Sequence, residues 1–100
     1  MKVKAKFKNN ITSVRLLAKH PMETGRRKNK ETGELIPAKY IQELSCEHNG
    51  KVVFLAQLGT SVSKHPYFAF AFNGGEKGQT VQLRWNDNTG DVKKVDATIK

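Results

Sequence analysis

The chain has 100 residues, of which 37% are hydrophobic and 27% charged, and its formal net charge at pH 7 is +9. This length supports one domain with a single core and is too short for two. No apolar run approaches the ~20 residues of a membrane-spanning helix. The single cysteine, Cys46, excludes an intrachain disulfide and any zinc or iron–sulfur site built from several thiolates.

The N-terminal part of the chain predicts two strands, because apolar and polar residues alternate. Residues 2–8 place Val3, Ala5 and Phe7 on one face and four lysines on the other. Residues 12–19 continue with a less regular alternation. This beginning contains no continuous apolar run, so it predicts no signal peptide and, taken alone, indicates the cytoplasm.

A long polar connection follows over residues 20–39. Prolines and glycines interrupt it, and a connection of this length in a compact domain is usually functional or disordered.

Five further strands are predicted in the rest of the chain. Four cover residues 40–48, 51–58, 67–72 and 79–85, and the last ends near Ile99. Asn49-Gly50 predicts a hairpin turn, since both residues tolerate a positive φ. Lys93-Lys94 interrupt the alternation of the last strand, which predicts a β-bulge. Seven strands without a helical stripe predict one all-β domain, a sandwich or a barrel.

Residues 52–56 and 67–72 form strands that are apolar on both faces, which an isolated antiparallel sandwich does not require. If the two strands share a sheet, its outer face carries an apolar patch of the kind that usually marks a protein interface. The alternative is that a loop, for example residues 20–39, folds over the patch. The candidate partner-binding residues are Val53, Leu55, Tyr67, Ala69 and Ala71.

The sequence offers little for catalysis. It has no GxSxG nucleophile motif and no phosphate-binding glycine loop, and its acidic residues are few. Cys46 and His48 would share a strand face, but a metal site would need further ligands from His20, Met22 or His65, and a lone strand cysteine is more often buried. We therefore expect no catalytic residue, metal or cofactor.

The positive charge indicates an acidic protein, nucleic acid or an anionic surface as a partner, or simply keeps a loop and an edge strand soluble. A small basic β-domain that binds single-stranded nucleic acid is the alternative function. Against it, the aromatic residues lie in the apolar strands rather than among the cations, and no RNP-type motif is present.

Several motifs follow one another along the chain. The long connection begins with HPMETGR at residues 20–26 and continues through Gly33 and Ile36-Pro37 to Tyr40-Ile41. Further segments are CEHNGKVVF at 46–54, PYFAF at 66–70 and WNDNTG at 85–90. Taken in this order, these motifs resemble the SoxZ family over essentially the whole chain.

This resemblance implies an immunoglobulin-like antiparallel β-sandwich of about seven strands, one SoxZ-like domain over residues 1–100. It further implies a non-catalytic binding subunit of the SoxYZ complex, in which a cysteine in the GGCGG-type tail of SoxY carries the sulfur intermediates of thiosulfate oxidation. The implied partners are SoxY, in a heterodimer or higher complex, and transiently other Sox enzymes, with no nucleic acid or membrane. A homodimer without SoxY is an alternative. Proteins of this family typically lack a signal peptide, so the implied location is the periplasm, reached by export with SoxY.

The segment HPMETGR at residues 20–26, which we call the motif loop, supplies a second set of candidate residues. Our hypothesis is that it docks SoxY or presents the SoxY tail to the Sox enzymes. The alternative is a loop-closing network in which Glu23 pairs with Arg26 and Gly25 adopts a positive φ. The candidates are His20, Met22, Glu23, Gly25 and Arg26.

Overall fold

The computed structural model describes all residues 1–100 and consists of strands and loops. It has no helix that could cross a membrane. The strands are β1 (Lys2–Lys8), β2 (Ile11–Leu17), β3 (Ile41–His48), β4 (Lys51–Gln57), β5 (Tyr67–Asn73), β6 (Thr80–Asp87) and β7 (Val92–Thr98). They form two antiparallel sheets with the orders β1-β2-β5 and β4-β3-β6-β7. In immunoglobulin lettering these are A-B-E and C′-C-F-G, so the predicted β-sandwich is confirmed.

The core lies between the inner faces of the two sheets. Alternation along β2 and β6 buries every second side chain, as the period-two pattern predicted. Only 16 of the 100 residues are buried, so each of them contributes a large share of the core. The hydrophobic members are Ala5, Val14, Leu16, Ala18, Met22, Ile41, Leu44, Cys46, Val81, Leu83, Trp85 and Ile99.

Tight turns connect the two hairpins β1–β2 and β3–β4. Asn49 and Gly50 have φ angles of 51° and 76°, as a two-residue turn with two left-handed positions requires. Asn9 and Asn10, at 53° and 67°, repeat this geometry between β1 and β2. The predicted hairpin at Asn49-Gly50 is therefore confirmed.

The two long sides of the sandwich differ. On one side, Ala5 and Ile99 form a parallel bridge that joins the sheets. The Phe7 N–H donates to the Lys100 carbonyl at 2.8 Å, and the Lys100 N–H donates to the Ala5 carbonyl at 3.0 Å. On the other side, β4 pairs only with β3, and β5 only with β2, so each leaves a free backbone edge. We call the side between β4 and β5 the open side.

The observed β-bulge lies in a different place from the predicted one. The β6–β7 register runs without interruption from Thr80–Thr98 to Asn86–Val92, so the bulge predicted at Lys93-Lys94 is wrong. Lys93 shares the inner face with Val95 but is exposed. The bulge occurs between β3 and β4, where the register shifts at Cys46/Glu47.

The long connection forms a hairpin-like extension over residues 23–39, which we call the arm. Isolated bridges join Glu23 to Lys39 and Lys28 to Leu35. The molecule measures 53 × 19 × 18 Å, and its radius of gyration is 15.8 Å, against about 13 Å for a compact domain of this length. A strand of eight residues spans only about 26 Å, so much of the length comes from the connections, of which the arm is the longest.

Candidate functional site

His20 is buried at the beginning of the long connection, with 2% of its surface exposed. Its Nδ1 accepts a hydrogen bond from the Met22 N–H at 3.0 Å, which places the ring proton on Nε2. Nε2 then donates to Asp87 Oδ2 at 3.0 Å. The imidazole also packs edge-to-face against Trp85, with ring centroids 5.0 Å apart. Both ring nitrogens of His20 are thus engaged within the protein.

Asp87, at the end of β6, is the centre of this network. Its Oδ2 also accepts from Lys39 Nζ at 2.9 Å. Its Oδ1 accepts from the Thr89 N–H and hydroxyl and from the Asp91 N–H. Burial alone would raise the pKa of Asp87, but the hydrogen bonds from His20, Lys39 and Thr89 outweigh it and hold the pKa well below its usual range. A buried, charged carboxylate therefore fixes both ends of the long connection to the β6–β7 turn.

Met22 completes the buried part of the motif loop. It has a φ of 47°, is 5% exposed and belongs to the core. Its sulfur accepts a hydrogen bond from the Ile41 N–H at 3.3 Å. No group of three or more His, Cys, Asp or Glu side chains lies close enough together to hold a metal ion. In this conformation His20 and Met22 position the chain rather than present side chains to a ligand.

The outer part of the motif loop lies at the base of the arm. Glu23 forms an ion pair with Arg27 at 2.6 Å, so the predicted pairing with Arg26 is wrong. The Arg27 guanidinium lowers the pKa of the Glu23 carboxyl. Gly25 has the predicted positive φ, 82°, and a Cβ there would lie 3.2 Å from the Cβ of Ala38. The side chain of Arg26 makes no hydrogen bond or ion pair within the chain and is exposed.

Cys46 is fully buried on the inner face of β3. Burial, with a smaller effect of the Glu47 carboxylate, raises the pKa of the thiol to about 11. The neighbouring His48 bonds instead to Gln79, with 2.7 Å between His48 Nε2 and Gln79 Oε1. The thiol is therefore protonated at neutral pH and shielded from solvent, which makes it a poor nucleophile or metal ligand.

The five candidate partner-binding residues do not share one face, because β4 and β5 belong to different sheets. Tyr67, Ala69 and Ala71 are exposed on the outer face of the β1-β2-β5 sheet. Leu55 is exposed on the outer face of the other sheet. Val53 lies at the bulge and is half-buried, while Val52 replaces it beside Leu55 on the outer side.

The open side nevertheless carries an apolar surface. Val52 and Leu55 are 56% and 54% exposed. Phe54 stacks on Phe70 of the opposite sheet, with ring centroids 4.1 Å apart, and both rings are only half-buried. These strands remain uncovered, so the alternative in which residues 20–39 fold over them is wrong. We call these residues the open-side surface; it combines the rings of Phe54, Phe68 and Phe70, which lie between the sheets at their open edge, with Val52 and Leu55 on the outer face of β4.

Sequence reasoning found the apolar strands and the motif loop but missed the Asp87 network. Asp87 and Lys39 are 48 residues apart, and nothing in a single sequence pairs them. The only signal was that Asp87 lies in the segment WNDNTG, which belongs to the family-like motifs.

Fold and surface together define a small immunoglobulin-like β-sandwich with an exposed apolar side and a tightly anchored arm. The family model described as "Sulphur oxidation protein SoxZ" matches residues 1–98, and the chain belongs to this family. A comparison with curated proteins found no match. Membership assigns the chain a role in the sulfur-oxidation (Sox) system.

Proposed function

We propose that the chain is the binding subunit of the SoxYZ carrier complex. In this proposal it pairs with SoxY, whose tail cysteine carries the covalent sulfur intermediates of thiosulfate oxidation, and it reaches the periplasm by export with SoxY. The observation that carries the pairing is the uncovered open-side surface. The chain itself performs no covalent step, and its buried Cys46 with a raised pKa suits a structural role.

The open side offers SoxY two kinds of contact. Val52 and Leu55 are already nearly half covered, so completing their burial at an interface gains roughly 1 kcal/mol for each. The edge strands β4 and β5 also present unpaired N–H and C=O groups, which a strand of a partner can satisfy by extending the sheet. Apolar burial and backbone pairing at one place favour a stable protein–protein contact over a transient one.

The double variant Val52→Glu/Leu55→Glu tests this pairing. It should weaken SoxY binding at least about tenfold, because two carboxylates would lose their hydration at the interface. Isothermal titration calorimetry with purified SoxY measures the affinity. The matched control is Val92→Glu, an apolar-to-acidic change at a position 48% exposed on the far edge strand β7, which should bind SoxY normally.

Two outcomes would contradict the proposal at different levels. Normal SoxY affinity in the double variant would move the interface away from the open side. If the unmodified chain fails to bind SoxY, the carrier-subunit function itself is wrong. Sedimentation of the chain alone reports whether it forms homodimers without SoxY, and the double variant should then be monomeric.

The motif loop has a second role in the proposal. The buried His20 and Met22, with Gly25 at its positive φ, hold the base of the arm against the sandwich. Glu23 ties the base to Arg27, while Arg26 is free to contact a partner. The loop would thus dock SoxY or help to present its tail to other Sox enzymes.

A further inference from the structure

The outer face of the β1-β2-β5 sheet carries only positive charge. The registers of the three strands place Lys2, Lys4, Lys6, Lys8, Ile11, Ser13, Arg15, Leu17, Tyr67, Ala69, Ala71 and Asn73 on this face. Five of these residues are cations and none is acidic. None of the five takes part in an ion pair of the molecule. We call this surface the basic face.

The arrangement of these cations is unfavourable within the isolated chain. Lys4 lies directly opposite Arg15, and like charges in directly opposed positions destabilise a sheet. Neighbouring lysines of β1 repeat along the strand at a spacing of about 6.7 Å. Lys4, Lys6, Lys8, Ser13 and Arg15 together line one shallow depression. An anionic partner over this depression would relieve the repulsion that the chain alone retains.

The β5 half of the basic face indicates what kind of anion fits. Ala69 and Ala71 lie beside Arg15 and Ser13 in the ladder, and these small alanine and serine side chains let a partner surface approach closely. Tyr67, 59% exposed, adds an exposed aromatic at one end. A single-strand nucleic-acid site would need several aromatic side chains stacked among the cations, but the phenylalanines of β5 lie on the opposite, inner face.

We propose that the basic face docks an acidic surface of a second protein partner. Its cations contact the partner's carboxylates, while Tyr67, Ala69 and Ala71 form the close-packed part of the contact. This goes beyond the pairing with SoxY, which uses the open side, and the two surfaces allow two partners to be bound at once. Attraction between opposite charges makes the interaction fast to form. Salt screens exposed charges, so the affinity falls as ionic strength rises.

Polyglutamate serves as the probe, with binding to the full chain followed by fluorescence anisotropy. The triple variant Lys4→Glu/Lys6→Glu/Arg15→Glu should weaken binding at least about tenfold, because it reverses the charge of the depression. The control triple Lys77→Glu/Lys93→Glu/Lys94→Glu makes the same change in net charge at exposed positions away from the basic face, and it should weaken binding less than about threefold. In NMR titrations of the unmodified chain, amide shifts should concentrate on β1 and β2.

Three results would overturn the proposal. Equal losses in the two triple variants would mean that net charge alone attracts the probe. Tighter binding of a single-stranded oligonucleotide of matched charge at the same amides would assign the face to nucleic acid. A loss of SoxY affinity in the β1/β2 triple, measured in parallel, would make the face part of the SoxY interface.

The proposal and the carrier-subunit function fail separately. If polyglutamate binds as expected but SoxY does not bind at all, only the carrier-subunit function is wrong. Circular dichroism verifies that each variant is folded. If the triple variant does not fold, the neutral set Lys4→Gln/Lys6→Gln/Arg15→Gln repeats the measurement, and unchanged binding in that set overturns the proposal.

Discussion

At the scale of single residues, Asp87 accepts more hydrogen bonds than any other side chain in the molecule. Five donors surround it, from His20, Lys39, Thr89 and Asp91. A buried charge of this kind is tolerated because each lone pair has a partner, and its removal leaves several donors unsatisfied. The buried hydrogen-bond network of Asp87 thus fixes the motif loop to the sandwich.

The pH dependence of stability should report on this carboxylate. Its folded-state pKa lies below the ordinary value of 3.8, so the native state binds fewer protons than the unfolded one, and the free energy of unfolding should fall as the pH drops below about 4. Asp87→Asn should lose roughly 3 kcal/mol at neutral pH and show a flatter acid slope. Urea denaturation between pH 7 and pH 2 measures both.

The control for this experiment is Asp91→Asn. Asp91 also pairs with Lys39, but its side chain is 66% exposed, so its loss should cost less than about 1 kcal/mol. An unchanged acid slope in Asp87→Asn would show that other carboxylates dominate the acid transition.

At the scale of strands, the sequence predicted which segments extend but not how they meet. Strand ends agree within about two residues, since alternation and turn residues such as Asn49-Gly50 act locally. The condition that β4 and β5 share a sheet is not met, and two strands that are apolar on both faces carry no signal of which sheet each one joins. The bulge at Cys46/Glu47 could not be predicted from the sequence either. It places Val52 instead of Val53 on the outer face. A one-residue shift of register changes the face of every following side chain.

The opposed cations of β1 and β2 provide a stability test of the register. Lys4→Glu places a carboxylate opposite Arg15, so a favourable cross-strand pair should replace a repulsive one and raise the free energy of unfolding by roughly 0.5–1 kcal/mol. Lys8→Glu is the matched control, because its partner Ile11 is uncharged. Urea denaturation at low salt compares the two. Equal shifts would mean that general charge reduction, not the Lys4–Arg15 pairing, sets the stability.

At the scale of the whole molecule, the arm is the longest connection of an elongated protein, and the buried core lies in the sandwich. Beyond its base, over residues 24–37, the hydrogen bonds of the arm join its own two segments, for example the Ile36 N–H to the Arg27 carbonyl at 2.7 Å. Its Leu35 is 59% exposed. Its outer half therefore contributes little to the core, which leaves it available for the partner contact proposed above.

Shortening the arm tests whether it serves the stability of the fold or the contact with a partner. Replacing residues 28–35 by Asn-Gly removes two lysines and two glutamates, so the net charge is unchanged. Unfolding free energy should change by less than about 1 kcal/mol, while the radius of gyration from X-ray scattering falls toward ~13 Å. We expect reduced thiosulfate oxidation in a reconstituted Sox system or weaker SoxY binding. A glycine–serine segment of the original length controls for length alone, and unchanged values of both functional readouts would end the docking role of the arm.

The bridge between β1 and the last residues of the chain also determines when folding can finish. Ala5 meets Ile99, and Phe7 meets Lys100, so residues near opposite ends of the sequence must come together. Contacts of such large sequence separation form slowly, because the chain loses much entropy before they are made. During synthesis β1 can pair with β2 early, but the two sheets cannot be joined on this side until residue 100 has left the ribosome. Until then the inner faces are accessible to other chains, and a partner that binds early would shield them.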